Sequence, residues 1–194
     1  RELQRVSSRE LTMAVNLSPV QFSQPDLAEK IISIVDETGM NPHNLELELT
    51  ESCLMENMEL THQTLSKLQA HGILISIDDF GTGYSGLSYL RTLPINVVKI
   101  DRSFVAEIGS NEDDTAIVSA VIKMAKALDL RVVAEGVETE KQLLALRAMR
   151  CDEAQGYYFS RPVSGTVALN LLQSSGNFTY ICDSVAPRAS ANAH

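Results

Sequence analysis

The sequence predicts an α/β fold in which about six parallel βα units curl towards a barrel. Two observations lead to this prediction. Short apolar segments alternate with amphipathic helical segments at a repeat of roughly 30 residues, the size of a βα unit with its crossover. Successive apolar segments also end in a polar side chain that can bind a ligand. Polar residues at the same end of successive parallel strands are typical of the active face of such a barrel.

The N-terminal half contains three predicted strands, at 11–17, 45–49 and 73–77. The first is apolar nearly throughout, which predicts that it is buried. In the second, apolar and acidic residues alternate with period two, so Glu46 and Glu48 are expected on one face. Amphipathic patterns that end near glycines predict the helices of this half, which lie at 27–38 and 57–70.

The C-terminal half begins with a predicted loop at 80–93, which contains Gly81, Thr82 and Gly83 and closes with a short helical piece that ends at Pro94. Three further strands are predicted at 96–100, 131–134 and 152–159. The helical patterns of this half lie at 111–128, 139–148 and 165–173. The alternation of strand and helix therefore continues to the end of the domain.

The composition is that of a soluble globular protein, with 44% apolar and 21% charged residues. One partial domain is expected over 1–176, followed by a tail at 177–194 that is rich in Ala, Ser, Pro and Asn and is expected to be largely disordered. The net charge of -9 leaves no broad electrostatic footprint for nucleic acid. A phosphate-bearing ligand would therefore need metal ions or a few local cations.

The three cysteines, Cys53, Cys151 and Cys182, are far apart and form no Cys-x-x-Cys pair. Reduced thiols in the cytoplasm are the expected state. No run of about 18 apolar residues occurs. The sequence starts without Met, so we interpret it as part of a longer parent, for which tethering to the inner membrane is left open.

Polar side chains occupy the ends of the predicted strands. These residues are Asn16, Glu48, Asp78 with Asp79, Lys99, Glu135 and Gln155. Each has a simple structural explanation when taken alone: an aspartate pair before a glycine is most often a solvated turn, and a lone lysine at a strand end usually lies on the surface. The explanations lose force together because all of these residues fall at the same end of one sheet.

Carboxylates and one amide oxygen, without histidine, suit hard divalent cations such as Mg²⁺ or Mn²⁺. The adjacent acids Asp78 and Asp79 can reach two ions about 3.5–4 Å apart, an arrangement used for in-line attack on a phosphodiester. Lys99 would orient the attacking water or neutralise developing charge. The same ring of lysine and acids also allows a Mg²⁺-dependent barrel enzyme that abstracts a proton next to a carboxylate.

Six motifs, taken in order, resemble those of the EAL domain, the bacterial cyclic-di-GMP phosphodiesterase, over 11–162. They are Val15-Asn16-Leu17-Ser18, Glu48-Leu49-Thr50-Glu51, Asp78-Asp79-Phe80-Gly81-Thr82-Gly83-Tyr84, Lys99-Ile100-Asp101, Ala134-Glu135-Gly136-Val137-Glu138-Thr139 and Gln155-Gly156-Tyr157. The resemblance implies a TIM-like (β/α)8 barrel, here with about six of its units. It also implies hydrolysis of one phosphodiester bond of cyclic-di-GMP to linear pGpG, with Mg²⁺ or Mn²⁺ in a two-metal site.

The resemblance assigns expected roles at the centre of the site. The implied metal ligands are Asn16, Glu48, Asp78 and Asp79. Glu135 is similar to a residue that acts as a second-metal ligand or as the general base. Lys99 resembles the lysine that holds the attacking water.

Further residues are implied around that centre. Gln155 lies at a position where members of the family have a residue that supports the attacking water or the metal site. Glu138 is similar to an acid near the substrate end of the site. Glu51 resembles the glutamate that anchors the loop after Asp79. That loop is implied to be mobile and, with the helix after it, to lie close to a homodimer contact.

The Glu-Ala-Leu segment that names the family does not occur in the sequence, and neither do the first strands of a full barrel. The chain is therefore expected to be an N-terminally truncated domain, weakly active or inactive in isolation. Sensory or diguanylate-cyclase-like domains are compatible with the parent. The alternative is a degenerate EAL domain that binds cyclic-di-GMP or a protein partner without turnover, but the motif acids within the matching region favour an enzyme.

Overall fold

Six parallel strands form one sheet in a computed structural model, which describes residues 10–55, 57–82 and 89–174 and the single positions 3 and 7. The strands are β1 (Met13–Asn16), β2 (Leu45–Thr50), β3 (Leu74–Phe80), β4 (Val97–Ile100), β5 (Arg131–Ala134) and β6 (Glu153–Ala154). They lie side by side in sequence order, and every neighbouring pair is parallel. The sheet curls into half of a TIM-like barrel, which confirms the predicted fold class.

Helices connect the strands in the way that the periodic patterns predict. The longer ones in the described part of the chain are α2 (Leu27–Thr38), α4 (Met58–Ala70), α7 (Glu112–Ala127), α8 (Glu140–Ala148) and α9 (Gly165–Ser174). Helix α8 begins with a capping box between Thr139 and Gln142. Side-chain caps at Asn57, Asn111 and Thr139 mark where α4, α7 and α8 begin, and the apolar face of each helix determines which side packs on the sheet.

The described part of the chain also contains four short α-helices, three of which were not predicted because each is too short to show a period of 3.6 residues. The three are α1 (Pro19–Phe22), α3 (Glu51–Met55) and α6 (Arg102–Ala106). The fourth, α5 (Tyr89–Thr92), is the short helical piece predicted before Pro94. Ser18 caps α1 through a capping box with Gln21, so the Ser-Pro pair both ends β1 and starts a helix. Asp101 caps α6 by accepting a hydrogen bond from the backbone N–H of Ser103 at 3.0 Å.

Two strand predictions are wrong. The first strand was expected to be buried, but all residues of β1 are exposed, including Met13 at 48% and Val15 at 42%. In the described chain β1 pairs only with β2, so it is an edge strand. The last strand was expected over 152–159, but β6 ends at Ala154 because the chain turns at Gly156 and the N–H of Tyr158 bonds to Val137.

The apolar core lies between the sheet and the helices. It takes alternate residues of each strand, for example Leu47 and Leu49 of β2 and Ile75 and Ile77 of β3. The intervening residues, among them Glu46, Glu48, Ser76 and Lys99, are buried on the opposite face. The predicted sharing of one face by Glu46 and Glu48 fits this alternation, which directs charge to the inside of the half-barrel.

The tail predicted at 177–194 and position Gly83 lie outside the described residues. Within the described ranges, no helix is long and apolar enough to cross a membrane.

Candidate functional site

Lys99 lies at the centre of a cluster of carboxylates inside the half-barrel. Its Nζ is 2.6 Å from Oε1 of Glu48, 2.6 Å from Oε1 of Glu135 and 3.2 Å from Oδ1 of Asp78. These residues come from four neighbouring strands or their ends, β2 to β5. The lysine side chain is only 5% exposed, so the ion pairs form largely out of water. The structure thus brings together four of the strand-end residues that the sequence predicts.

A potential metal site overlaps this cluster. One carboxylate oxygen from each of Asp78, Asp79 and Glu135 lies within 4.8 Å of the others. Neighbouring residues in a regular strand point to opposite faces, so two adjacent aspartates reach one point only where the strand is interrupted. The interruption is visible: the register with β4 shifts between Ile77 and Phe80, and Asp79 has a φ of 53°. Strained backbone of this kind is common at functional sites.

The pKa values in the cluster reflect burial and crowding of like charges. Burial raises the pKa of Glu135, although its bond from Lys99 opposes the rise. Burial, followed by the negative charges of Asp78 and Asp101, raises the pKa of Asp79. Burial by itself would lower the pKa of Lys99, but its bonds to Glu135 and its other carboxylate partners raise that pKa instead. The site therefore holds more acid than one ammonium can balance, which suits a divalent cation.

Gln155 lies at the rim of the cluster. Its Nε2 donates a hydrogen bond of 2.6 Å to Oε1 of Glu135. The position is fixed by the turn at Gly156, where a Cβ atom would lie 2.2 Å from the carbonyl oxygen of Val137. Gln155 therefore contacts a member of the site directly, although it is itself exposed.

Glu51 lies apart from the cluster, at the first residue of α3. It is 4% exposed, and neither carboxylate oxygen has a hydrogen-bond partner among the described residues. Tyr89, the first residue of α5, is equally buried, and burial followed by the charge of Glu51 raises the pKa of Tyr89. Glu51 is thus a buried acid beside the start of α5, which follows the loop that it was expected to anchor.

The remaining predicted residues lie around the same end of the sheet. Asn16 ends β1, is exposed, and is the register partner of Glu48. Glu138 is exposed between β5 and α8, and its N–H donates to Gln142. In the loop after Asp79, the Thr82 hydroxyl donates to the carbonyl of Asp79 at 2.8 Å.

Gly81 in this loop has a φ of 99°. A Cβ atom there would come within 3.0 Å of the Phe104 ring. The position therefore needs glycine both for its backbone conformation and for space.

Asp101 is a member of the site region that we did not predict as a site residue. Burial opposes ionisation, yet hydrogen bonds from Ser103 and nearby backbone lower the pKa of Asp101. The same carboxylate faces Asp79 and contributes to its raised pKa. The available signal was its position two residues after Lys99, just beyond the end of β4.

Comparison with known proteins identifies the family. The family model described as EAL domain matches residues 1–162. The cyclic di-GMP phosphodiesterase NbdA of Pseudomonas aeruginosa is 44% identical over 163 residues, which are 84% of this chain and 21% of NbdA. The chain spans about a quarter or less of the length of such curated relatives.

Solved structures agree with this match. The EAL domain of Mycobacterium smegmatis DcpA has a TM-score of 0.82 and 44% identity, covering 88% of this chain and 78% of that one. Klebsiella pneumoniae BlrP1, in a manganese/cy-diGMP complex, has a TM-score of 0.75 and 31% identity, covering 83% of this chain and 42% of that one. With its parallel half-barrel and its acidic strand ends, the chain belongs to the EAL domain family.

Proposed function

We propose that this chain is part of a metal-dependent phosphodiesterase that hydrolyses cyclic-di-GMP to linear pGpG. The observation that carries the proposal is the convergence of Asp78, Asp79 and Glu135 within 4.8 Å beside a buried lysine. The names of the relatives add the substrate: NbdA is a cyclic di-GMP phosphodiesterase, and the BlrP1 structure is a manganese/cy-diGMP complex.

The donor set fits Mg²⁺ or Mn²⁺. All three side chains offer hard carboxylate oxygens, which these ions prefer, and the acidic surplus around Lys99 favours a divalent charge. The resemblance adds Glu48 and Asn16 as further ligands. Bound ions would supply Lewis-acid polarisation of the phosphodiester and neutralise charge during in-line displacement.

The side chains of the chain itself have separate tasks in this proposal. Glu135 would serve either as a ligand of the second ion or as the base that accepts a proton from the attacking water, and Gln155 orients its carboxylate through the 2.6 Å bond. Lys99 would donate hydrogen bonds to the attacking water or to the phosphate as negative charge develops.

Because the isolated chain is expected to be weakly active or inactive, the proposal is tested on the longer parent protein. The parent is incubated with cyclic-di-GMP and Mn²⁺, and linear pGpG is measured by ion-pair chromatography. We expect Asp78→Ala to lower the rate by at least about 100-fold, the scale seen when a preorganised electrostatic group is removed. The matched control is Asp113→Ala, an exposed aspartate in the first turn of α7, which should retain the rate.

Product formation at an unchanged rate in Asp78→Ala would contradict the assigned mechanism. Binding of cyclic-di-GMP without any pGpG would instead identify a domain that binds the dinucleotide without turnover. Both outcomes are read from the same samples when equilibrium dialysis accompanies the chromatography.

We also propose, from the family resemblance, a homodimer through the segment after Asp79 and helix α5. Light scattering coupled to size-exclusion chromatography measures the mass directly. A monomeric mass at every concentration up to about 100 μM, well above the micromolar range in which specific dimers form, would contradict it.

A further inference from the structure

We propose that Lys99 is the internal cation that holds the carboxylates of this site together in the absence of metal, and that metal binding releases it for contact with substrate. The inference rests on the proposed metal site. It assigns to Lys99 two alternating sets of partners rather than one fixed role.

The first step is a count of hydrogen-bond donors. An ammonium group has three N–H donors and no acceptor. Lys99 has three carboxylate partners: Glu48 at 2.6 Å, Glu135 at 2.6 Å and Asp78 at 3.2 Å. The three carboxylates therefore surround the ammonium. In this arrangement a water molecule or a phosphate oxygen must compete with them for its N–H donors.

The second step is that the ammonium and a divalent cation need the same groups. Asp78 and Glu135 are ion-paired to Lys99, and both also belong to the potential metal site with Asp79. A carboxylate that coordinates a divalent ion is a weaker partner for an ammonium, because the two cations repel at short range. Metal binding is thus expected to loosen Lys99 from Asp78 and Glu135, leaving N–H donors directed at the space above the cluster.

The third step separates this role from a purely structural one. A lysine with a purely structural role, linking β2 to β5, would keep its three ion pairs with or without metal. Its removal would weaken metal binding by disordering the acids. An internal cation that competes with metal has the opposite signature. Its removal makes the metal-free site more negative and strengthens metal binding, while the metal-free protein becomes less stable because its acids repel.

The experiment compares wild type, Lys99→Met and the control Lys30→Met, whose lysine is exposed in α2. The dissociation constant for Mn²⁺ is measured by electron paramagnetic resonance of the free ion, and the melting temperature is measured with and without Mn²⁺. We expect Lys99→Met to bind Mn²⁺ about tenfold more tightly. Without metal, Lys99→Met should melt at a lower temperature than wild type. Mn²⁺ should raise its melting temperature by more than it raises that of wild type.

A second measurement uses the wild-type chain, so it does not depend on whether the variant folds. Nitrogen-detected NMR of lysine ammonium groups reports slowly exchanging, hydrogen-bonded NH₃⁺. The Lys99 signal, assigned by its loss in Lys99→Arg, is expected in the metal-free protein and is expected to broaden or shift on saturation with Mg²⁺.

If wild type binds Mn²⁺ and Lys99→Met binds it more weakly or equally well, this inference is overturned and the proposed metal site is not. An ammonium signal that saturating Mg²⁺ leaves unchanged would do the same. Failure of the wild-type chain to bind Mn²⁺ at all would overturn the proposed metal site and, with it, the inference.

Discussion

Arg131, the first residue of β5, bridges one acid of β2 and one acid of β6. Its guanidinium lies 3.2 Å from Oε2 of the buried Glu46 and 2.9 Å from Oε1 of Glu153. We predict that Arg131→Met lowers the free energy of unfolding by about 2 kcal/mol, mainly because Glu46 is left as a buried carboxylate without its guanidinium partner.

The magnitude follows from the exposure of the two partners. Removing one member of a fully buried ion pair costs about 3–5 kcal/mol. The Glu46 side chain is only 9% exposed, but the Arg131 side chain is 43% exposed, so water screens part of the interaction. Halving the buried value gives about 2 kcal/mol. Glu46→Gln keeps the shape and removes the charge, so it should change stability by less than about 1 kcal/mol.

Urea unfolding of wild type, the two single variants and the double variant measures the coupling. With a denaturant slope of about 2–3 kcal/mol/M, Arg131→Met should lower the midpoint by about 0.7–1 M. In the Glu46→Gln background the same change should cost at least about 1 kcal/mol less, because no buried charge is left behind.

Arg147→Met is the matched control, since Arg147 is exposed in α8. Single-variant effects that add to within about 0.5 kcal/mol would refute the coupling. A midpoint for Arg131→Met equal to that of Arg147→Met would refute the stabilising role of the bridge.

Two further predictions concern pH and backbone geometry. Burial raises the pKa of the Glu46 carboxyl above its ordinary value, so the folded state holds this proton more tightly than the unfolded state. The associated stabilisation is present below the unfolded pKa and is lost as the pH rises through the folded pKa. The free energy of unfolding of Glu46→Gln should therefore increase relative to that of wild type as the pH rises across that window. A difference between the two that does not depend on pH in urea unfolding would contradict this. Gly136→Ala should lower the free energy of unfolding by at least about 2 kcal/mol, because Gly136 has a φ of 70° and a Cβ atom would lie 2.5 Å from Cβ of Arg102. Gly165→Ala is its control, since nothing lies within 4 Å of that Cβ position, and equal melting temperatures for the two variants would show that the clash is relieved.

The strands and long helices were predictable because their patterns are local. The apolar run before Asp78 and the period of helix α2 carry the information within a few residues. The exposure of β1 was not predictable in this way. An apolar strand is buried only when neighbours cover it, and the described sheet has a neighbour on one side of β1 alone.

The sequence predicts which residues of the site lie near one another. It does not predict their individual contacts. A parallel sheet places strand ends at one edge, so Glu48, Lys99 and Glu135 were expected to lie together. Their ion pairs depend on contacts between residues far apart in sequence, which no local pattern encodes. The same holds for Asp101, whose relation to Asp79 follows from the way β3 breaks register with β4.

Charge on the inner face links stability to function. Glu46, Glu48, Asp78 and Glu135 lie along one face of the sheet, and Arg131 and Lys99 are the cations that bind them. With Asp79 added, the acids outnumber these cations, so the carboxylates on this face repel one another when no metal is bound. A ligand that binds the folded state alone stabilises it. Divalent ions should therefore raise the melting temperature of the chain whether or not it turns over substrate, and this rise should disappear in Asp78→Ala.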